Sequence, residues 1–411
     1  MKFVEYDMTH TKIETRIFLF IIMMLILGQR VVVTIGTFQF PIIIFLIYIS
    51  IIILISSKKI EINKIRFFLY LLTMILSFII VYFSSILLSY YNYSLQSLFY
   101  YLILYFPFVF QLVHNSEYLF KRSLLFFQKL MLYVSYIGIL QLLLQTFGIK
   151  YIDIFEYIPE SFVQQGFNTT YPAYWGSLIL KSNGMFFLEP SIFSQFLAIS
   201  IIIEIVYFKR ISYLLSLFIG ILSTLSGTGL MVVLILGIIN IRKLGLKIFT
   251  LIIFLLLPFT VWFLNTGYGN VLINRLTEFG NENASGSIRF IAPYKVLFTF
   301  GEDNYFKYLF GIGPGQVDYL SNSFAANYSV IPKLFIEYGL IIGVMFCLFL
   351  LTLFIYNKSK IPLIFAVLIT YLFLGGNLLI PQIVYLIFIF ISIYNIKNKT
   401  SQSNPTKRGN L

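Results

Sequence analysis

The sequence predicts an all-α polytopic membrane protein with about twelve transmembrane helices. Of its 411 residues, 59% are hydrophobic and only 11% are charged, whereas about a quarter of the residues of a soluble domain are charged. The mean hydropathy is +0.90. Apolar runs of about 17–25 residues recur along the chain, and each is long enough to cross ~30 Å of hydrocarbon as a helix. A transmembrane β-barrel would instead require shorter segments of alternating polarity.

Twelve apolar segments form one multi-pass domain over residues 1–411, and no internal repeat divides it into related halves. The predicted spans are roughly 17–34, 38–56, 66–90, 97–114, 124–147, 187–208, 211–225, 227–241, 246–264, 334–356, 361–374 and 377–394. The first residues contain acids and lack a small-residue cleavage site, so we predict no removable signal peptide. A single cysteine, Cys347, excludes an internal disulfide and a cysteine-based metal cluster.

The basic residues favour one orientation of these spans. The net charge is +13, which in a soluble protein would suggest nucleic acid; here it matches the accumulation of Lys and Arg in cytoplasmic loops, and no nucleic-acid partner is expected. With alternating spans, 21 of the 29 basic residues fall on the side of both termini. The other eight are Arg30, Lys150, Lys181, Arg275, Arg289, Lys295, Lys307 and Lys333. Both termini are therefore predicted to be cytoplasmic.

This orientation places the two longest connections outside. Residues 148–186 form the first external loop, and residues 265–333 form the main external loop, in which short helices are expected. The cytoplasmic connections are only a few residues long. Residues 398–411 are predicted to form a disordered cytoplasmic tail. A protein whose long loops all face outward is expected to act at the outer leaflet.

Two carboxylates near outer span ends are candidates for acid–base chemistry. Glu189 precedes Pro190 at the start of the sixth span, so it either helps to begin a helix or binds a sugar hydroxyl and accepts its proton. Glu337 lies at the outer end of the tenth span, where an acid is either functional or extends to the interface. Tyr338 beside it is a candidate substrate-binding residue. Neither histidine lies on the outer side, so histidine chemistry is not expected there.

Cations and a glycine-rich turn in the main loop are candidates for binding an anion. Arg275 and Arg289 either pair with Glu278, Glu282 or Glu302, or bind phosphate oxygens through their fork-shaped guanidinium groups. The segment Gly311–Gly315 is a tight turn by composition, in which the N–H groups of Gly313 and Gly315 could approach an anion. No Asp-x-Asp occurs in the outer loops, so no metal or other cofactor is expected.

Two polar features inside spans have competing explanations. The segment Ser226-Gly-Thr-Gly229 breaks the seventh and eighth spans, and its small residues favour close helix packing over a substrate contact. Gln141 and Gln145 lie one helical turn apart and either face an interior cavity or bond a neighbouring helix.

Four segments, in a fixed order, resemble the superfamily of O-antigen polymerases (Wzy-type) and O-antigen ligases, which are bacterial membrane glycosyltransferases. They are Asn183-Gly184 through Phe187-Leu-Glu-Pro-Ser191, then Leu222-Ser-Thr-Leu-Ser-Gly-Thr-Gly-Leu230, then Ser287-Ile-Arg289 with Leu309-Phe-Gly-Ile-Gly-Pro-Gly315, and finally Ile336-Glu-Tyr-Gly-Leu340. The resemblance covers the C-terminal half of the chain, and the twelve predicted spans extend it to the rest.

The resemblance implies transfer of a glycan from an undecaprenyl-diphosphate carrier to a sugar hydroxyl at the outer face of the bacterial plasma membrane. It implies that Arg289 contacts the diphosphate, with Lys181 standing where many relatives have Arg. Arg275 and Gly286 also have the spacing of an Arg-x10-Gly polymerase motif. The histidine–asparagine pair of the ligases is replaced by Ser-Phe-Ala-Ala-Asn-Tyr, which favours a polymerase.

The sequence therefore predicts a polysaccharide polymerase in which Arg289, helped by Lys181 or Arg275, neutralises the departing diphosphate, and Glu189 or Glu337 acts on the acceptor hydroxyl. Expected partners are the lipid-linked oligosaccharide, the bilayer and a chain-length regulator. The alternatives are a ligase-type transferase and a flippase or transporter of the lipid-linked unit. A flippase would concentrate its charges at mid-membrane between related halves, whereas here they gather in outer loops.

Overall fold

The computed structural model describes residues 12–36, 38–87, 94–114, 116–173, 176–239, 285–300, 302, 304–320, 326–355, 361–373 and 377–395. Within these residues the chain is mostly helical, as an all-α membrane protein requires. Two short antiparallel strand pairs accompany the helices in the described part of the chain, and the hydropathy pattern does not predict them.

The helices follow the apolar runs of the sequence. They are α1 (Lys12–Leu27), α2 (Ile42–Ser56), α3 (Lys64–Leu87), α4 (Leu95–Tyr105), α5 (Glu117–Thr146), α6 (Pro190–Ile203), α7 (Ile211–Ser223), α8 (Gly227–Ile239), α9 (Ser285–Phe290), α10 (Ala292–Thr299), α11 (Tyr305–Phe310), α12 (Val317–Leu320), α13 (Val330–Ile355), α14 (Ile361–Phe373) and α15 (Pro381–Ile387). Single π-helical turns, Glu204–Phe208 and Phe388–Ser392, extend α6 and α15.

Within the described residues, four helical stretches are long and apolar enough to cross a membrane, namely Lys64–Phe83, Glu117–Thr146, Pro190–Phe208 and Val330–Phe354. They coincide with the third, fifth, sixth and tenth predicted spans. Five other predicted spans coincide with shorter apolar helices: Ile42–Ser56, Leu95–Val109, Ile211–Ser223, Ile361–Phe373 and Pro381–Ser392. The ninth predicted span, 246–264, lies outside the described residues.

A β-hairpin stands where the first predicted span was expected to end and the second to begin. Strands β1 (Val32–Ile35) and β2 (Phe38–Pro41) pair from Val32–Pro41 to Ile35–Phe38. The β-branched run Val-Val-Val-Thr-Ile favours extended backbone, and Gly36 adopts the positive φ of +63° that the turn requires. A second pair joins β3 (Ile60–Ile62) to β4 (Phe110–Leu112).

Helix α6 lies at the centre of the bundle. All but one of its fourteen residues are buried, as expected of a helix that is apolar on every side. It packs against α5, α7, α8 and α14. Gly229 of α8 allows the closest approach, because a Cβ at this position would lie 2.3 Å from the carbonyl oxygen of Ser194. The SGTG segment therefore serves helix packing.

Contacts between distant connections define two ends of the bundle. At one end, Lys59 pairs with Glu14 at 3.7 Å and the Arg66 guanidinium donates to the carbonyl of Ser392. We call it the basic end. At the other end, Arg30 pairs with Asp153, and the Gln382 amide donates to the carbonyl of Gln29; we call it the loop end.

Candidate functional site

Glu189 lies at the loop end, immediately before the first turn of α6. Its extended backbone makes it the N-cap residue and Pro190 occupies the first helical position, but its side chain caps no backbone N–H of the helix. The partly exposed carboxylate instead accepts hydrogen bonds from the Ser191 hydroxyl at 2.8 Å and from the Asn168 backbone N–H at 3.3 Å. Glu189 thus marks the helix start while its carboxylate faces the loop of residues 148–186.

Gln141 and Gln145 fix that loop to α5. The Gln141 side chain donates to the Ile152 carbonyl and accepts from the Ser182 hydroxyl and the Asn183 N–H. The Gln145 side chain exchanges two hydrogen bonds with the backbone of Leu180. These glutamines therefore bond the loop that follows α5, rather than facing the interior cavity or bonding the neighbouring helix that their spacing suggested.

Lys181, a candidate for the diphosphate, is a buried residue of this loop. Its side chain is enclosed, with Nζ 4.6 Å from the centre of the Tyr171 ring. Its backbone N–H donates to the Tyr171 carbonyl at 2.8 Å. Inside the protein, the Lys181 ammonium group therefore makes a cation–π contact with the Tyr171 ring.

The first two resemblance segments pack together beside Glu189. The Thr228 hydroxyl lies 3.1 Å from the hydroxyls of both Ser194 and Ser226. The Gly229 N–H donates to the Ser194 hydroxyl. A row of small hydroxyl side chains therefore connects the start of α6 to the start of α8.

The last two resemblance segments cross at a pair of glycines. Gly311 and Gly339 have φ of +74° with ψ of 179° and 176°, a backbone region that is essentially restricted to glycine. A Cβ on Gly311 would lie 2.4 Å from the Glu337 carbonyl oxygen, and a Cβ on Gly339 would lie 2.3 Å from that of Leu309. Gly339 also breaks α13 into two helical parts.

The turn Gly311–Gly315 is held by its backbone. The Ile312 and Gly313 N–H groups donate to the carbonyls of Ile336 and Glu337. Gly315, with φ of +76°, lies against Ser94 and Ser97 at the start of α4. The Gly313 N–H, which was predicted to approach an anion, is therefore engaged by α13.

Glu337 and Tyr338 are fully buried. The Lys333 ammonium lies 3.8 Å from the Glu337 carboxylate, one helical turn earlier, so the acid lies beside a cation inside the protein and does not extend to its surface. The Tyr338 ring packs on Tyr101 with 5.0 Å between ring centres. Tyr338 therefore reaches a substrate only if the aromatic contact opens.

Arg289 is a partly exposed residue at the end of the short helix α9. Within the described part of the chain, no carboxylate pairs with the Arg289 guanidinium. Glu302, one of its three predicted partners, belongs to that part. Arg275 and the two acids Glu278 and Glu282 lie outside that part. The neighbouring Ile288 carbonyl accepts from the Asn327 N–H, which ties α9 to the segment that leads into α13.

A buried ion pair at the loop end was not predicted. The Arg30 guanidinium contacts both Asp153 oxygens at 2.7 and 2.8 Å, and both residues are at most 5% exposed. The guanidinium also lies 4.4 Å from the centre of the Phe155 ring. Burial and the nearby Asp153 raise the pKa of Tyr151 above its ordinary value, so this phenol stays neutral. From the sequence, Arg30 is recognisable as one of the eight basic residues predicted to lie on the outer side.

The loop end therefore carries two packed units built from the four resemblance segments. One unit holds Glu189, and the other holds Glu337 and the glycine turn; helix α14 packs on α6 and on α13 and so connects them. A partly exposed carboxylate can accept the proton of a bound hydroxyl. Among the described residues, no group of three His, Cys, Asp or Glu side chains is placed to hold a metal ion.

No protein-family model matches the chain, and no curated protein matches its sequence.

Proposed function

We propose that the protein is a polysaccharide polymerase of the bacterial plasma membrane. It joins undecaprenyl-diphosphate-linked repeat units of a surface polysaccharide at the outer face. The observation that supports this proposal is the pairing of four dispersed sequence segments, each similar to the glycosyltransferase superfamily, into two packed units at one end of a helical bundle. The excess of basic residues at the other end supports an outward orientation of this end.

The proposed reaction is a transfer between two lipid-linked glycans. A hydroxyl oxygen of the acceptor sugar forms a bond to the anomeric carbon of the donor, and the bond from that carbon to the diphosphate oxygen breaks. Undecaprenyl diphosphate leaves with the bonding electron pair. The acceptor hydroxyl gives its proton to a carboxylate, for which Glu189 is the more exposed candidate.

Arg289 is proposed to stabilise the charge that develops on the leaving diphosphate. A guanidinium group matches the geometry of phosphate oxygens, and Arg289 has no carboxylate partner among the described residues. Lys181 and Arg275 are the additional cations proposed from the sequence. An electrostatic contact of this kind contributes on the order of 10²–10³ to a rate.

Replacement of Arg289 by alanine in the native host tests the proposal. Arg289→Ala is expected to abolish long-chain polysaccharide while single repeat units still reach the surface lipid, as gel electrophoresis of the surface glycolipids would show. Arg122→Ala is the matched control, because Arg122 is exposed at the basic end. Unchanged chain length would exclude the assignment of Arg289, and accumulation of units on the cytoplasmic side would favour a flippase.

A further inference from the structure

Residues 149–154, which follow α5, turn a charged side chain inward and apolar side chains outward. Tyr151 and Asp153 are 8% and 5% exposed, whereas Ile152 and Ile154, which alternate with them, are each 39% exposed. The backbone at Asp153 is extended, and successive side chains of an extended chain point to opposite sides. In contact with water, a charged residue is ordinarily the one that faces outward. We call residues 149–154 the returning segment.

The returning segment folds back along α5. The Ile149 N–H donates to the Leu144 carbonyl at 3.0 Å, and the Ile152 carbonyl accepts from the Gln141 side chain at 2.9 Å. Gln141 lies five positions before Thr146, the last residue of α5, so the helical rise places it about 7.5 Å below the end of the helix. Ile152 therefore reaches back to roughly this depth.

The length of α5 indicates where this depth lies in a bilayer. Its 30 residues extend about 45 Å, or about 42 Å along the bilayer normal at an ordinary tilt of about 20°. A bilayer measures about 40–45 Å with its head groups and ~30 Å without them. The last turns of a helix of this length therefore lie in the head-group layer, and the returning segment lies beside them.

The exposed apolar surface of the returning segment continues that of α5. Leu140, Leu143 and Phe147 are 55%, 48% and 80% exposed, and their spacing places them on one side of the helix. The exposed apolar side of a helix that crosses a membrane faces lipid. Ile152 and Ile154 add exposed apolar side chains at the same depth, beyond the end of the helix.

The charged residues of the returning segment are compatible with this location. Both Asp153 oxygens accept hydrogen bonds from Arg30 inside the protein, so this carboxylate presents no charge to the lipid. Lys150 is exposed, and its long apolar stem allows the ammonium group to reach the phosphates of the head groups. The segment thus combines an inward acid with an outward cation.

We propose that the returning segment is a lipid-contacting surface, with Ile152 and Ile154 at the boundary between the head groups and the acyl chains of the leaflet at the loop end. Its partner is the lipid of the bilayer, because its apolar surface continues the lipid-facing side of α5 at the same depth. Apolar side chains of interfacial segments enter this boundary in the same way. The contact fixes the height of Asp153 and Arg30 relative to the membrane, whatever reaction the protein catalyses.

Spin labels at the two isoleucines test the proposal. In a Cys347→Ala background, Ile152→Cys and Ile154→Cys would each carry a nitroxide, with the full-length protein in nanodiscs of phosphatidylethanolamine and phosphatidylglycerol. Power saturation would compare collisions of the label with oxygen, which concentrates in lipid, and with a water-soluble nickel chelate. Leu143→Cys on α5 is the lipid-facing control, and Glu160→Cys, at an exposed acid of the same loop, is the aqueous control.

The ratio of oxygen collisions to nickel collisions is expected to be severalfold higher at both isoleucine positions than at Glu160→Cys, and close to that at Leu143→Cys. A ratio equal to that at Glu160→Cys would place the segment in water and overturn the proposal. Protection from both reagents would also overturn it, because a protein surface such as a second copy of the chain would then cover the segment. The measurement involves no glycan, so its outcome is separate from that of the proposed function.

Discussion

At the level of single residues, burial of charge distinguishes the contacts that hold the loop end together. Arg30 donates two short hydrogen bonds to the Asp153 carboxylate in the protein interior, whereas Lys121 and Glu117 form a pair with side chains 57% and 44% exposed. Removal of one partner from a buried pair leaves an uncompensated charge, but an exposed pair contributes little. The two pairs should therefore respond very differently to substitution.

Asp153→Asn is expected to destabilise the protein by about 3–5 kcal/mol, because Arg30 keeps its charge without a counterion. Glu117→Gln, the control in the exposed pair, is expected to change stability by at most ~1 kcal/mol. Thermal unfolding of the purified protein in detergent measures both. Similar melting temperatures for the two variants would contradict the importance of the buried pair.

The sequence shows which polar residues lie at unusual positions, but it does not show which groups they contact. Glu189 and Glu337 were identified because acids near span ends are rare, yet only the structure separates a partly exposed carboxylate from a fully buried one beside Lys333. Gln29 and Gln382 were missed, because a single glutamine at a span end is not distinctive. Their burial depends on residues more than a hundred positions away.

At the level of elements, the crossing of Gly311 and Gly339 fixes the turn Gly311–Gly315 to α13. Each glycine adopts a backbone region closed to other residues, and each touches the backbone of the other segment. Neither glycine tolerates a side chain without separation of the two segments. The crossing is therefore the element-scale contact most sensitive to substitution.

Gly311→Ala and Gly339→Ala are each expected to cost about 1–3 kcal/mol from backbone strain alone, with further loss from the steric clash. Gly227→Ala is the matched control, since a Cβ there would meet no atom within 4 Å. Limited proteolysis of the purified protein is expected to cleave the two variants faster than the control. Equal rates of cleavage would show that the loop is not held at this crossing.

The helices of the fold were predictable from hydropathy, whereas the hairpin β1–β2 was not. Its strands contain the same apolar residues as a membrane span, so a hydropathy window does not separate the two. The β-branched run on one side of Gly36 and the alternating Phe-Gln-Phe on the other were local signals of a hairpin. The second strand pair joins segments some fifty residues apart, which no local pattern indicates.

At the scale of the whole molecule, the separation of a basic end from a loop end follows from charge. The sequence predicts 21 of the 29 basic residues on one side, and the pairs Lys59–Glu14 and Arg30–Asp153 each join two connections at the same end of the bundle. Such a distribution favours a basic end in the cytoplasm.

Cysteine labelling in intact cells tests this orientation. In a Cys347→Ala background, Tyr157→Cys, at a position 88% exposed in the first loop, is expected to react with a membrane-impermeant maleimide. Lys121→Cys at the basic end is expected to react only after permeabilisation. The reverse pattern would invert the topology and exclude chemistry at the outer face.

The pair Arg30–Asp153 also constrains how the protein is made. The two residues are 123 positions apart, and a ribosome adds about 5–20 residues per second, so Arg30 waits roughly 6–25 seconds for its counterion. During this interval the first helices must be held with an uncompensated charge at their end. Release of the nascent chain before the fifth helix and the residues after it have emerged would leave that charge permanently unmatched. Synthesis of the first loop is thus the earliest stage at which Asp153 can compensate the Arg30 charge.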